Sequence, residues 1–474
     1  MRHDKTILIL GGTGFVGQEI GLKLCTHGYK IIVSTRHPEQ WRGRLPFPCE
    51  LVAFPSADSA VDSALISRCH VVINLVGAGI ADKPWTSSRR QVLRESRLRS
   101  VAALAAAISA AERKPEVVVQ ASAVGYYGDS GEADVTEATC AGRGFLADLA
   151  KDWETSTEPI AAAGSRLVTL RMGMVLGLTG GALPKLLDLY AMGLGGVLGN
   201  GRQWLSWIHV DDLTELIVRV IAVPSYRGVI NATAPIPCRM SEFNEAIGGN
   251  GKYFHAWRVP RLALQAVLGA RAALVLESIK VLPLSAIAAG FEFRFPAVGA
   301  AFADLLGGSV AGGVVRLVER QWIRQDPATV WPFFTNAANL ERITPPWLGF
   351  KVLNSSTPVV QAGTLIDYVL KLHGVPMRWR TEICAWNEGK SFVDRQVQGP
   401  YAVWHHTHNF TPLAGGSLMT DIVQYKLPLS YAGALVAGGF VGRDVRQIFS
   451  YRRKVIAWLS DRDFELSDPA PLVR

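Results

Sequence analysis

The sequence predicts an α/β fold, a doubly wound parallel sheet with helices on both faces, followed by a smaller α+β domain. Short apolar runs alternate with helical patterns through roughly the first 240 residues, which is typical of a parallel sheet covered on both faces. A glycine-rich break follows at Gly307–Gly313. After this break, several strand-like segments precede one long helical pattern, which indicates an antiparallel sheet closed by a helix.

Seven apolar runs bounded by turn residues are predicted to form the parallel sheet. They are Thr6–Leu10, Lys30–Thr35, Leu51–Phe54, Val71–Val76, Val117–Ala121, Arg166–Met172 and Val229–Ala232. Helical patterns lie between them, notably Gly14–Thr26 and Gln91–Ala111, and a further helical region is predicted at Pro260–Leu282.

In the second domain, Asp326 and Pro327 are typical of a helix N-cap and first turn, so a helix is predicted to run through Phe334. Six strands follow, at Phe350–Val360, Thr364–His373, Met377–Trp386, Ser391–Gln398, Val403–Phe410 and Leu418–Leu427. The pattern Ala432–Leu459 predicts the closing helix. Its basic residues are interpreted as a solvated face, with contact to a membrane surface as the alternative. They are Arg443, Arg446, Arg452, Arg453 and Lys454.

These changes of pattern divide the chain into two domains and a linker. The first domain is predicted over residues 1–303 and includes a helical subdomain at about 235–300. The linker is predicted at 304–315 and the second domain at 316–462.

Composition excludes several classes of protein. Hydrophobic residues make up 49% of the chain and charged residues 19%, which excludes a disordered protein. No run reaches the roughly 18 uncharged apolar residues of a membrane span, so no transmembrane segment is expected. The six cysteines are scattered, which favours a reducing, cytoplasmic location without structural zinc. The net charge of +9 is spread along the chain, so nucleic-acid binding is not expected.

The first predicted strand runs directly into the segment Gly11–Gly17, GGTGFVG, with glycines at three-residue spacing before a helix. Gly11 and Gly12 would allow a tight turn, Gly14 would let backbone amides approach a pyrophosphate, and Gly17 would let the helix pack on the sheet. The helix N-terminus also favours phosphate. A dinucleotide site of the Rossmann type is therefore predicted.

The end of the second strand indicates which dinucleotide binds there. An acidic residue at this point would accept hydrogen bonds from the ribose 2′-hydroxyl of NAD(H), but the sequence has Ser34, Thr35 and Arg36. A guanidinium pairs well with a 2′-phosphate, so NADP(H) is favoured over NAD(H). The alternative is a solvated arginine in a loop.

Four motifs carry a family resemblance. GGTGFVG, VINLVGAGI at Val72–Ile80, ASAVGYYG at Ala121–Gly128 and WLSWIHVDDL at Trp204–Leu213 resemble the extended and atypical short-chain dehydrogenase/reductases. More closely, residues 5–300 resemble the "epimerase family" branch, which is labelled nucleoside-diphosphate-sugar epimerase-like or cell-division-inhibitor SulA-like. Taken with the glycine motif, the resemblance implies a cofactor site of fourteen residues. They are Gly11, Gly12, Thr13, Gly14, Phe15, Val16, Gly17, Ser34, Arg36, Leu75, Val76, Gly77, Ala121 and Arg171.

The same resemblance implies a catalytic serine, tyrosine and lysine, of which only the serine is found, at Ser122. The tyrosine and lysine positions carry Phe145 and Leu149, which have no proton to transfer. Lys151 points about 120° away from Phe145 on the helix and is predicted to lie at the surface.

Two tyrosines close to Ser122 are candidates to replace the missing acid. Tyr126 and Tyr127 are therefore named with Ser122 as candidate catalytic residues, with a structural role in the fold as the alternative. The aspartates of the HVDD motif at residues 209–212 are expected to cap a helix.

Residues 316–462 resemble the SRPBCC/START-like superfamily, a helix-grip fold around a hydrophobic cavity. The resemblance rests on ITPPWLGF at Ile343–Phe350, PMRWRTEICAW at Pro376–Trp386 and FVDRQVQGPYAVWHHTHNF at Phe392–Phe410. It implies an apolar ligand. Candidate cavity residues, with ordinary core packing as the alternative, are Trp379, Trp386, Phe392, Tyr401, Trp404 and Phe410.

Three histidines in this segment suggest a metal site, because imidazole is a common metal ligand. His406 and His408 share one face of a strand and His405 takes the other. Since no carboxylate partner is evident nearby in the sequence, no metal site is predicted, and pocket or surface histidines are the preferred interpretation.

Together these features favour an NADP(H)-binding oxidoreductase-like protein coupled to a hydrophobic-ligand domain. A small carbonyl compound or a nucleotide-sugar-like molecule is the expected substrate. A non-catalytic, cofactor-binding regulator and an apolar-ligand carrier are the alternatives. The sequence leaves the substrate, the apolar ligand and the oligomeric state open.

Overall fold

The computed structural model describes residues 4–53, 61–249, 256–372, 374–428 and 430–464, with the backbone only for residues 430–440. Its first half is built on a seven-stranded parallel sheet in the order β3-β2-β1-β4-β5-β6-β7. The strands are β1 Thr6–Leu10, β2 Lys30–Thr35, β3 Glu50–Ala53, β4 Val71–Asn74, β5 Val117–Ala123, β6 Arg166–Met172 and β7 Gly228–Ala232. The predicted doubly wound sheet is confirmed.

The sheet is parallel because apolar runs lie buried between two helical layers. One face packs on the helices Phe15–Thr26 and Val210–Ala222, whose buried residues include Ile20 and Leu213. The other face packs on the helix Ser87–Ala110 and on Trp153 of a later helix. The change of direction between β1 and β4 leaves a crevice at the carboxyl ends of these two strands.

Three predicted strands, β1, β2 and β6, have the predicted ends. β4 ends two residues early, at Asn74, because the chain turns away after Leu75 donates its N–H to Leu10 O. The last residue of the predicted strand Leu51–Phe54 lies outside the described residues. The region predicted as helical at 260–282 is broken, because Gly269 adopts φ +57° and the chain becomes extended at Lys280.

Shorter elements complete the first half of the chain. The helices are Phe15–Thr26, Pro38–Trp41, Ser63–Ser67, Ser87–Ala110, Phe145–Thr155, Glu158–Ala162, Leu183–Ala191, Val210–Ala222, Met240–Gly248, Arg261–Leu268, Ala273–Leu276, Leu284–Ala288 and Val298–Gly307, with 3₁₀ turns at Val124–Tyr127 and Gly269–Ala272. Four strand pairs are small: Asp134–Val135 with Lys280–Val281, Met174–Leu176 with Trp207–His209, Gly196–Leu198 with Trp257–Val259, and Trp204–Leu205 with Cys238–Arg239.

The second half is a seven-stranded antiparallel sheet in the order β8-β14-β13-β12-β11-β10-β9. The strands are β8 Val315–Ile323, β9 Lys351–Ser355, β10 Leu365–Leu372, β11 Val375–Asn387, β12 Ser391–Gln398, β13 Val403–Leu413 and β14 Gly416–Lys426. Its helices are Pro327–Phe334, Leu340–Ile343 and Ser430–Ser460, with 3₁₀ turns at Ala337–Asn339 and Pro346–Leu348.

The predicted α+β organisation is confirmed, including the helix Pro327–Phe334 and its Asp326 N-cap, which accepts from Thr329 N at 2.8 Å. The sequence prediction missed β8, which follows the glycine-rich break and pairs with β14 through nine residues. His373, the last residue of one predicted strand, lies outside the described residues.

The interpretation of the basic residues of the closing helix as a solvated face is wrong for Arg452 and Arg453, whereas Arg443 and Arg446 are exposed. Arg452 is buried and lies 3.5 Å from a carboxylate oxygen of Asp421. Arg453 pairs with Glu319 of β8, and Arg446 pairs with Asp188 of the first half at 3.3 Å. The contacts of Arg452 and Arg453 tie the helix to the antiparallel sheet. Among the described residues, no helix has the length and apolar character needed to cross a membrane.

The two halves make specific polar contacts. Arg320 on β8 contacts both carboxylate oxygens of Glu19, at 3.0 and 3.2 Å, on the helix that follows the glycine motif. The Gln321 side chain donates to Gly43 O at 2.6 Å. The helix Val298–Gly307 runs across the predicted boundary at residue 303, so the domain limits stay a prediction.

Candidate functional site

The glycine motif makes a tight cradle at the carboxyl end of β1. Gly11 has φ +80°, and a Cβ there would lie 3.1 Å from the backbone carbonyl of Leu75. At Gly17 a Cβ would lie 2.5 Å from Gly11 O and 2.6 Å from Gly12 Cα. The helix therefore approaches the strand as closely as the sequence pattern predicts, and no side chain larger than hydrogen fits at Gly17.

The cradle leaves backbone donors free for a phosphate. Gly14 is the N-cap of the helix, and the first helical hydrogen bond is donated by Gln18 N to Gly14 O. The N–H groups of Phe15, Val16 and Gly17 therefore precede the helical bonding pattern, as at every helix N-terminus. No acidic residue lies in this first turn, so the positive end of the helix dipole is uncompensated.

The remaining predicted cofactor residues lie around this cradle or behind it. Leu75, Val76 and Gly77 follow β4, with Val76 N bonded to Asn74 Oδ1 at 3.2 Å, and they form the second wall of the crevice. Ala121 is buried on β5. Thr13 lies within the turn, and its carbonyl accepts from the Gln18 side chain at 2.8 Å.

The end of β2 carries two polar side chains, Ser34 and Arg36, that have no polar partner in the described part of the chain. The Ser34 side chain is only 4% exposed, and its hydroxyl has no hydrogen-bond partner among the described residues. Arg36 is exposed and makes no ion pair within the part of the chain that the structure describes. An orphaned buried hydroxyl beside an unpaired guanidinium fits a phosphate group, which supplies several acceptor oxygens.

Ser122 and Arg171 belong to a buried network that the sequence did not predict. Ser122 is 1% exposed, and its hydroxyl donates to Glu154 Oε1 at 2.6 Å. Arg171 donates to both oxygens of Glu154, at 2.8 and 2.7 Å, and to the Tyr127 hydroxyl at 2.9 Å. These hydrogen bonds engage the side chains of Ser122 and Arg171, which were predicted as site residues. The structure therefore favours a structural role for both.

The two candidate tyrosines differ in their surroundings. The Tyr127 hydroxyl donates to Asn231 Oδ1 at 2.7 Å, and burial raises the pKa of Tyr127 above its ordinary value. These surroundings favour the structural alternative for Tyr127. Tyr126 is half-buried with its ring 3.4 Å from the Arg171 guanidinium carbon, which is a cation–π contact. Of the two, Tyr126 is the one with a partly accessible side chain.

The apolar residues at the tyrosine and lysine positions are well packed. Phe145 lies edge-on to Trp85, with the ring centroids 5.1 Å apart, and Leu149 is buried in the same cluster with Leu93. Lys151 is exposed, as predicted. No protonatable side chain takes the place of the absent pair at these two positions.

The HVDD motif is structural, but its aspartates do not cap the helix as expected. His209 is the N-cap of Val210–Ala222, and its Nδ1 accepts from Asp211 N at 3.1 Å. Asp212 instead accepts the backbone N–H groups of Arg294 and Phe295 at 2.9 and 3.0 Å. It ties the segment 294–295, near the end of the predicted helical subdomain, to the helix Val210–Ala222.

The antiparallel sheet and the closing helix enclose a cavity of about 170 Å³. Four of the six predicted aromatic residues line it, namely Trp379, Phe392, Tyr401 and Trp404. The other two, Trp386 and Phe410, pack around Trp331 in the core at centroid distances of 5.0 and 5.7 Å. A second, more polar cleft of about 230 Å³ lies between the two halves and is lined by Glu19, Arg320 and Arg446.

The expectation that the histidines lack a carboxylate partner is wrong. Asp394 on β12 and Asp421 on β14 flank His406 and His408 on β13, and all four side chains are buried or nearly so. Burial alone would lower the pKa of His406, but Asp394 and Asp421 raise it above its ordinary value. Burial would raise the pKa of Asp394, but the two histidines hold it well below its usual range.

The strand order, the glycine cradle and the crevice between β1 and β4 define an NAD(P)-binding protein of the short-chain dehydrogenase type. The sequence matches the NAD-dependent epimerase/dehydratase family over residues 7–232 and a domain of unknown function, DUF1731, over 259–305. The second half matches the polyketide cyclase/dehydrase and lipid transport family over residues 323–450.

Related proteins establish the particular family. The chain is 38% identical to the chloroplastic epimerase family protein SDR39U1 homolog of Arabidopsis thaliana over 61% of its own length and 83% of the relative. It is 35% identical to an epimerase family protein of Staphylococcus saprophyticus, over 64% of its length and 99% of the relative. The chain belongs to the epimerase family.

Solved structures agree with this assignment. Human epimerase family protein SDR39U1, determined with NADPH, is 29% identical with a TM-score of 0.57, over 64% of this chain and 99% of that one. A nucleoside-diphosphate sugar epimerase from Corynebacterium glutamicum is 31% identical with a TM-score of 0.51, over 64% of this chain and 59% of the other. The N-terminal half is therefore an NAD(P)-binding domain of this family.

Proposed function

We propose that the N-terminal domain binds NADP(H) in preference to NAD(H). The observation that carries the proposal is a pair of polar side chains, Ser34 and Arg36, at the end of β2, where an NAD(H)-specific site would have a carboxylate; neither has a polar partner among the described residues. The human relative solved with NADPH supports it. In this arrangement the guanidinium of Arg36 and the hydroxyl of Ser34 would bind the 2′-phosphate, and the N–H groups of Phe15–Gly17 the pyrophosphate.

Replacing Arg36 with alanine is expected to weaken NADPH binding by about 10- to 100-fold, because a charge-assisted hydrogen bond contributes roughly 1.5–3 kcal/mol. NADH, which lacks the phosphate, should bind the variant and the parent equally. Isothermal titration with both dinucleotides measures the two effects. Arg42→Ala, which removes another loop arginine of the same half, is the matched control and should leave both affinities unchanged. Equal losses for NADPH and NADH would contradict the proposed role.

The chemistry that suits such a domain is hydride transfer between NADP(H) and a small carbonyl compound or a nucleotide-sugar-like molecule. When bound, the nicotinamide would supply or accept the hydride. Ser122 and Tyr127 are held by Glu154 and Asn231, so the partly accessible Tyr126 or a water molecule is the candidate proton donor. The apolar cavity of the C-terminal domain would bind a hydrophobic ligand, which matches its similarity to a lipid transport family.

The packing of Phe145 against Trp85 and of Leu149 against Leu93 favours a second candidate, a cofactor-binding regulator without turnover. NADPH consumption with a panel of small carbonyl compounds separates the two. Turnover that falls in Tyr126→Phe, while NADPH affinity is unchanged, supports the oxidoreductase. Tight NADPH binding with no consumption by any compound supports the regulator. Either outcome would still allow the protein to act as a carrier of an apolar ligand. Mass spectrometry of lipids that co-purify with the full chain tests this role.

A further inference from the structure

The strongest unexplained feature of the molecule is the buried polar cluster in the otherwise apolar cavity of the C-terminal domain. Strand pairing places Asp394 opposite His406, and His408 opposite Asp421, so three adjacent strands bring these side chains to one face. His406, His408 and Asp421 are 5%, 3% and 1% exposed. Such a concentration of charge in an apolar core is costly unless the groups are paired with one another or bind an ion.

One possible ligand atom from each of three side chains lies close to the other two. Asp394 Oδ2 lies 3.3 Å from His406 Nδ1 and 3.2 Å from His408 Nε2, and the three atoms lie within 4.8 Å of one another. Metal–ligand bonds of about 2.0–2.2 Å in a tetrahedral shell separate neighbouring ligand atoms by about 3.3–3.5 Å. Charge-assisted hydrogen bonds are shorter, about 2.7–2.9 Å. The spacing around Asp394 Oδ2 matches that of a coordination shell, and the contact with His408 Nε2 at 3.2 Å also meets the geometry of a hydrogen bond.

The opposite ring nitrogens face a different carboxylate. Asp421 Oδ1 lies 3.2 Å from His406 Nε2 and 2.8 Å from His408 Nδ1. Asp421 Oδ1 makes no hydrogen bond of acceptable geometry among the described residues, so it acts mainly through its charge, and Arg452 Nη2 lies 3.4 Å from His408 Nδ1. A carboxylate on the far side of metal-binding imidazoles is a common arrangement, because it fixes the rings and raises their basicity. Arg452, 3.5 Å from the other oxygen of Asp421, balances that charge.

Aromatic neighbours hold both rings in place. Phe392 stacks on His408 with the centroids 4.3 Å apart, and Phe449 lies edge-on to His406 at 5.4 Å. Asp394, His406 and His408 all line the cavity of about 170 Å³, so a coordination position on the cavity side is open to its contents.

We propose that Asp394, His406 and His408 bind one divalent transition-metal ion of the zinc class, with Asp421 orienting the two imidazoles. Three protein ligands and one open position are typical of a catalytic rather than a structural metal site. The open position faces the apolar cavity. The ligand of this domain would therefore carry one metal-binding oxygen, such as a carbonyl or hydroxyl group, on an apolar body.

The competing explanation is a protonated histidine in place of the metal. Two carboxylates and Arg452 leave one negative charge in the cluster, which either a divalent ion or a proton on His406 could offset. The two explanations differ in metal binding, which can be measured directly.

The test uses the full chain after treatment with a chelator, with Co²⁺ as a spectroscopic probe and Zn²⁺ as competitor. We expect one Co²⁺ to bind per chain, with the visible absorption of four-coordinate Co²⁺. Adding Zn²⁺ should displace the Co²⁺ and abolish this absorption. Asp394→Asn and His408→Gln should each weaken binding by at least about 10- to 100-fold. His405→Gln is the matched control, because the His405 side chain lies on the opposite face of the same strand and does not line the cavity.

Circular dichroism establishes that each variant is folded, and the rise in melting temperature on adding Zn²⁺ gives a second readout. That rise should be present in the parent and in His405→Gln and absent in Asp394→Asn. Failure of the folded parent to bind Co²⁺ would overturn the proposal and leave the protonated histidine. Binding that survives equally in Asp394→Asn and His408→Gln would also overturn it, because the ion would then be bound elsewhere.

Discussion

Replacing Glu154 with alanine is expected to lower the free energy of unfolding by about 3–5 kcal/mol, the usual cost of removing one partner of a buried ion pair. Arg171 is 3% exposed, and both oxygens of Glu154 accept its hydrogen bonds. Burial alone would lower the pKa of Arg171, but Glu154 and Tyr127 raise it above its ordinary value, so the guanidinium stays charged. Without Glu154 the guanidinium would lose its carboxylate partner and keep the Tyr127 hydroxyl, and the Ser122 hydroxyl would lose its acceptor.

Urea unfolding followed by circular dichroism measures the effect. Asp148→Ala is the matched control, because Asp148 is an exposed carboxylate on the same helix, and its loss should cost about 1 kcal/mol or less. If Glu154→Ala and Asp148→Ala were equally stable, the network would not hold the domain together. The structural role given to Ser122 and Arg171 would then have to be withdrawn.

Substituting valine for Gly17 is expected to reduce affinity for NADPH and NADH by about 100-fold or more, equivalent to about 2.7 kcal/mol. The new Cβ would lie 2.5 Å from Gly11 O and 2.6 Å from Gly12 Cα, and both are backbone atoms that rotation of a side chain cannot move away. The helix would have to shift from the strand, and its N–H groups would move with it.

Fluorescence titration with both dinucleotides measures this loss. Gly299→Ala is the matched control, because Gly299 is helical and a Cβ there meets nothing within 4 Å. That substitution should leave affinity unchanged and raise stability by about 0.4–1 kcal/mol. A Gly17→Val protein that is folded and binds dinucleotide as tightly as the parent would exclude the cradle as the cofactor site.

Elements whose signals are local could be predicted from the sequence. β1, β2 and β6 begin and end where their largely apolar runs meet turn residues, and the close approach at Gly17 follows from glycine spacing alone. The strand β8, which follows the glycine-rich break, was not predicted. Its place at the edge of the sheet depends on pairing with β14, about 100 residues later in the chain.

The polar networks could not be predicted, because their members are distant in sequence. Glu154 lies 32 residues from Ser122 and 17 from Arg171, and a helical pattern does not reveal which charged residue turns inward towards two strands. The alternation on β13 places His406 and His408 on one face. Which strands flank them, and hence the presence of Asp394 and Asp421, depends on the order of the folded sheet.

The end of β2 in the N-terminal domain is proposed to bind the 2′-phosphate of NADP(H). Isothermal titration of the unmodified full chain with NADPH and with NADH, in the same buffer, tests it most directly. Arg36 and Ser34, which lack partners within the described part of the chain, predict that NADPH binds at least about 10-fold more tightly. Equal affinities, or tighter binding of NADH, would contradict it.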